Sequence, residues 1–193
     1  MARKREFDED EALEKALLVF HRQGYAATSM QDLVDHMGIG RGSLYEAFGS
    51  KEQLFARALT RYAERSMDMM VECLEAADDP VQGIRDLLHR TVENHAGNPD
   101  RSGCMVVNTI VELAPQDPAF ADTFRSVWSR LEAMLEAALA RAQREGRIDP
   151  GRSPKALARF LVGTIQGLAV RGKYDPDRQG LADVADTALA ALA

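Results

Sequence analysis

Cysteine is scarce: only Cys73 and Cys104 occur in 193 residues. Two thiols so placed build neither a disulfide framework nor a cysteine-based metal site. Long apolar runs are missing as well. The most apolar stretch, Leu157 to Val170, is interrupted by Arg159 and Gln166 and is shorter than the roughly 20 residues a membrane helix needs. The chain starts MARKREFDED, without the apolar core of an export signal, so a cytoplasmic protein that meets no membrane is expected. There is no G-x-S-x-G and no phosphate-cradling glycine loop. His89 and Glu93 are four apart and share a helix face, but His95 points elsewhere and completes no three-ligand site. These gaps lead to the expectation of no enzyme, no metal and no cofactor.

An excess of positive charge is also lacking, since the formal net charge is -6. The deficit is uneven. Residues 1–65 carry 10 Lys and Arg against 11 Asp and Glu, and six of those acids fall between Glu6 and Glu14. The segment after Glu14 is therefore relatively basic, and steering toward an anionic partner depends on that local field rather than on the total.

The positive signal is a run of helical periodicity. In residues 28–51, TSMQDLVDHMGIGRGSLYEAFGSK, Thr28 and Gln31 have capping-box spacing, and Met30, Leu33, Val34 and Met37 recur at helical intervals. Gly38 suits a left-handed helix end, and Ile39 can pin the turn after it. A second helix, from about Gly40 to Phe48, turns Leu44 and Phe48 inward and leaves Arg41, Ser43, Tyr45 and Glu46 on the other side. Gly40, Gly42 and Ser43 make this a poor helix in isolation, at about 1 kcal/mol per glycine relative to alanine. A slim helix whose amino end exposes free N–H groups suits close approach to a phosphate backbone or to base edges. This is the pattern of a helix-turn-helix, in which the second helix is expected to enter the major groove of double-stranded DNA.

Residues 7–62 resemble the DNA-binding domain of the TetR family of bacterial transcriptional repressors. The resemblance rests on F-x-x-x-G-Y-x-x-T-S-M, G-I-x-R-G-S-L-Y and F-G-S-K-E-x-L-F, present in order and without gaps. It implies an all-α homodimer, with a three-helix reading head over residues 1–50 and a helical regulatory and dimerisation domain over 51–193. It places Arg41, Gly42, Ser43 and Tyr45 on the groove-facing side, with Thr28, Tyr45 and Lys51 as phosphate clamps. Arg41 is the best candidate for base reading, because its fork can bond both acceptors of guanine. Glu46 repels phosphate and stays outside the contact set. The tail Arg3-Lys4-Arg5 is basic and long enough to run along the backbone. The resemblance further implies a palindromic operator and an unknown small-molecule inducer.

Past the head, the pattern predicts a helix continuing to about Ala76, then helices over 81–95, 103–113, 120–145 and 154–171. The last is apolar around most of its circumference, so it must be covered on two sides, and Gly163 and Gly167 allow a close neighbour. In the family the corresponding pair, 120–145 and 154–171, joins its copy in a four-helix bundle. Met70, Met105, Phe124 and Trp128 are candidate lining for an inducer pocket. Cys104, early in a predicted helix and near Arg101, is a candidate redox thiol, and G-C-x-x-x-N at this place is similar to that of electrophile-responsive family members. Two other readings remain open at this point: a thiol-sensing repressor acting through Cys104, and a helical interaction module with a degenerate reading head.

Overall fold

The computed structural model describes residues 7–115 and 118–192, with side-chain detail from residue 124 in the second stretch. The Arg3-Lys4-Arg5 tail lies outside the described residues. The described residues form nine helices and no strand: α1 (Glu9–Gln23), α2 (Met30–Met37), α3 (Arg41–Phe48), α4 (Lys51–Ala76), α5 (Pro80–His95), α6 (Met105–Leu113), α7 (Pro118–Arg144), α8 (Pro154–Tyr174) and α9 (Arg178–Ala190). Two compact units divide between Glu64 and Arg65, inside α4. Residues 51–64 of α4 belong to the amino-terminal unit, where Leu54, Phe55 and Ala58 are buried. The boundary expected from sequence, at 50/51, is instead the point where α4 begins.

Each helix of the first unit starts from a local signal. Asp8 caps α1 by accepting from the Asp10 and Glu11 amides at 2.8 and 3.2 Å, and three acids in the first turn favour the positive helix end. The capping box of α2 is one residue later than expected. Ser29 and Asp32 form it, not Thr28 and Gln31: the Asp32 amide donates to the Ser29 hydroxyl at 3.0 Å, and the Ser29 amide donates back to Asp32 at 2.8 Å. Thr28 is occupied elsewhere, its hydroxyl donating to the Gly24 carbonyl at 2.6 Å. The Ser29 hydroxyl and amide hold the Asp32 carboxyl below the usual carboxylate range. The turn into α3 runs through Gly38, whose φ of 70° is the left-handed value a side chain resists. Ser50 starts α4, its hydroxyl accepting from the Gln53 amide at 3.1 Å.

The core of this unit is aromatic and aliphatic. Phe20 of α1 sits edge-on to Phe55 of α4 with ring centres 5.0 Å apart, and Tyr25 lies 4.9 Å from Phe55. Leu33, Leu44 and Leu54 are fully buried. In the second unit, Leu131, Leu135 and Leu139 of α7 form one cluster with Leu87 of α5, Leu161 and Ile165 of α8, and Leu181 and Ala185 of α9. The helices named from the sequence end at residue 171. The structure continues α8 to Tyr174 and adds α9, capped by Asp177 and docked through Leu181, Ala185, Ala188 and Leu189. No described helix is long and apolar enough to cross a membrane.

Candidate nucleic-acid interface

Leu44 and Phe48, at 0% and 3% exposure, hold α3 by one face. Arg41, Gly42, Tyr45 and Glu46 are exposed on the opposite side, and Ser43 is half-buried. This division is what the four-residue spacing of Leu44 and Phe48 dictates. The helix begins at Gly40, which supplies no side-chain cap, so the Arg41, Gly42 and Ser43 amides at its amino end are not capped by a side chain from Gly40. A Cβ added to Gly40 or Gly42 would meet nothing within 4 Å. Packing within the chain therefore does not require glycine at either place, and the slim face is directed at solvent.

The cations of this surface are braced by rings. The Arg41 guanidinium lies 6.0 Å from the centre of the Tyr45 ring. Lys51, at the start of α4, holds its ammonium 4.4 Å over the Tyr25 ring, within cation–π range. Arg57 lies 4.8 Å over Phe48. Arg41, Gly42, Ser43, Tyr45 and Lys51 thus fall on α3 and the first turn of α4. Thr28 is different: it is 1% exposed with its hydroxyl committed to Gly24, so its side chain shapes the approach to α2 and does not reach solvent.

The acids of α1 are engaged internally. Arg61 bridges Asp10 at 2.5 Å and Glu14 at 3.2 Å, Arg57 reaches Glu9 at 3.6 Å, and Lys15 pairs with Glu11 at 2.7 Å. The Arg61 guanidinium, by hydrogen bond and by charge, keeps the Asp10 carboxyl below its ordinary range. These acids are partly neutralised where they stand by cations of α1 and α4.

The other expected residues are dispersed. Met70, at 9% exposure, belongs to the main core of the second unit, and the half-buried Trp128 packs against it. Met105 and Phe124 are buried outside that cluster. The Trp128 indole N–H is buried without an acceptor among the described residues. A groove of about 420 Å³ lies between α6 and α8, lined by Val107, Ile110, Val111, Gly167, Val170, Arg171 and Tyr174, and it contains none of the four expected lining residues. No sequence pattern signals it, because its walls are some sixty residues apart. Cys104 stands half-buried at the head of α6 and is not joined to Cys73. His89 meets Asp186 at 3.2 Å, Glu93 pairs with Arg178, and His95 is buried, so these three serve α5–α9 packing and the core.

Comparison with known proteins agrees with this geometry. Residues 12–58 match the family model of bacterial regulatory proteins of the tetR family, and residues 80–188 match that of the tetracyclin repressor-like C-terminal domain. An uncharacterised HTH-type transcriptional regulator of Bacillus subtilis, YezE, is 35% identical over the whole of both chains. The HTH-type transcriptional repressor ComR of Escherichia coli is 31% identical, over 97% of this chain and 90% of its own. Among solved structures, a cysteine mutant of the TetR family regulator CifR, complexed with a 26-bp double-strand operator DNA, superposes with a TM-score of 0.88 at 30% identity over the full length of both chains. These relatives do not favour a thiol-switched repressor or a degenerate interaction module. With both units matched and the reading helix in place, the chain belongs to the TetR family of bacterial transcriptional regulators.

Proposed function

We propose that this regulator is a homodimeric repressor that binds a palindromic operator through two copies of α3 and leaves it when a small molecule binds the second unit. It acts by binding alone, without a catalytic step. The observation that carries the DNA reading is the division of α3 into a buried anchor and an outward face of Arg41, Gly42 and Tyr45. Arg41 reads a guanine edge, Gly42 and Ser43 allow close approach, and Tyr45 and Lys51 hold phosphates.

Pairing is supported by α7 and α8. Ala133 and Ala137 on α7 and Phe160, Gly163, Gly167 and Val170 on α8 are exposed in a single unit whose core is otherwise closed. A two-fold pair of heads reads half-sites about 34–36 Å apart, or as the operator spacing demands. The inducer reading rests on the Trp128 indole, a buried donor without an acceptor among the described residues, at the edge of a methionine-containing core. A ligand carrying an acceptor would satisfy it, and would release DNA only by preferring a conformation other than the bound one.

The test is a titration of the purified chain on duplexes selected from random sequence, followed by fluorescence anisotropy across a salt series. The expected result is an inverted-repeat consensus, two chains per duplex, and a logarithm of affinity that falls linearly with the logarithm of salt concentration. A direct-repeat or absent consensus, or binding indifferent to salt, would contradict it.

A further inference from the structure

Large apolar side chains remain exposed around the α6–α8 groove: Val111 at 71%, Val170 at 46% and Tyr174 at 67%. At the other end of α8, Phe160 stands 47% exposed. A knob and a groove therefore lie on one helix, and their spacing is symmetric. Phe160 is three residues before Gly163, and Val170 is three residues after Gly167. A two-fold axis passing between the two glycines, with the helices antiparallel, sets Phe160 of each copy against Val170 of the other.

We infer that the groove between α6 and α8 is the seat of Phe160 from a second copy of this chain, so that α6 is part of the dimer interface. The inference rests on the dimer reading above and specifies its register and hand. A Cβ at Gly167 would meet nothing within 4 Å, so the groove floor is open space where an aromatic ring can enter. Charge does not oppose the pairing. The flanking cations are already partnered in their own chain, Arg159 with Glu132 at 3.0 Å and Arg171 with Asp175 at 2.7 Å. No carboxylate is among the described residues that line the groove. With each copy supplying one knob and one groove, every contact forms twice, and a parallel arrangement would instead bring Phe160 against Phe160 and leave both grooves empty.

The experiment is intermolecular disulfide trapping in the full chain with Cys73→Ala and Cys104→Ser. Phe160→Cys combined with Val111→Cys is expected to oxidise to a covalent dimer, whereas either alone is not. A covalent dimer from Phe160→Cys alone would overturn the register. So would a double variant that stays uncrosslinked while sedimentation shows a dimer. A monomer of the unaltered chain at all concentrations would instead end the dimer reading itself. Gly167→Leu, with native cysteines, is the companion. Its Cβ meets nothing within 4 Å, and the side chain beyond it is expected to occupy the groove and weaken dimerisation about tenfold or more at unchanged helical content. Undiminished dimerisation would overturn the proposal.

Discussion

Arg41→Ala is expected to weaken operator binding by about 30-fold to 10⁴-fold, because a bidentate guanine contact is worth about 1–3 kcal/mol and a dimer makes it twice. The fold should not suffer. Arg41 is exposed, Leu44 and Phe48 anchor α3 without it, and the first turn of α3 holds no acid to balance a cation there. A cation at a helix amino end opposes the helix dipole, so alanine should leave α3 as stable or slightly more so. Stability that is kept while affinity is lost distinguishes a reading residue from a structural one. Arg41→Lys should restore little, since an ammonium lacks the planar fork. Anisotropy at fixed salt together with a thermal melt checks both halves. Unchanged affinity in Arg41→Ala would remove Arg41 from the contact set.

Phe20→Ala should have an effect of similar size by another route. Phe20 is 1% exposed and touches both Phe55 and Tyr25, so truncation removes burial and leaves a cavity, at a cost of about 3–5 kcal/mol. At about 0.05–0.15 kcal/mol per residue, a unit of this size holds only roughly 3–9 kcal/mol in all. Most of its stability goes with one side chain. DNA binding should be lost at ordinary temperature although Arg41, Tyr45 and Lys51 are untouched. The second unit, with its separate core around Leu131, Leu135 and Leu161, should keep its own amide protection. Hydrogen exchange resolved along the chain tests this. Full protection and full DNA affinity in the variant would show that the aromatic cluster does not support α3.

Much of the reading head is legible in the sequence. Leu33, Met37, Leu44 and Phe48 stand out because apolar side chains repeated at helical spacing leave few alternatives, and Gly38 fixes the turn between them. The α2 cap lies one residue from its expected place because T-S-M-Q-D contains two overlapping box patterns. Ser is the stronger N-cap and Gln the more usual box partner, so the local pattern pulls both ways; in the structure Thr28 bonds the Gly24 carbonyl, and Ser29 and Asp32 form the box. That same bond turns a phosphate-clamp candidate into a buried residue. Helix α9 is hard to see in sequence because its docking stripe mixes Leu181 and Leu189 with Ala185 and Ala188, and alanine gives little contrast between faces.

The second unit shows a sharper limit. Met70, Met105, Phe124 and Trp128 are the kinds of side chain that line a pocket, yet chemistry alone does not separate lining from filling, and the structure buries three of them. The α6–α8 groove needs Val111 and Val170 brought together from different helices, a juxtaposition that no local pattern encodes. Residue type thus points to the surface proposed for DNA reading, which one short helix presents. It does not locate surfaces assembled from distant segments.

The most direct measurement replaces Tyr45 with a photoreactive phenylalanine and maps its crosslinks on a bound operator duplex. If α3 lies in the major groove, crosslinks fall at two symmetric positions, one in each half-site. A protein that binds the duplex tightly yet crosslinks nowhere from position 45, or at one unpaired position, would contradict a paired reading by α3.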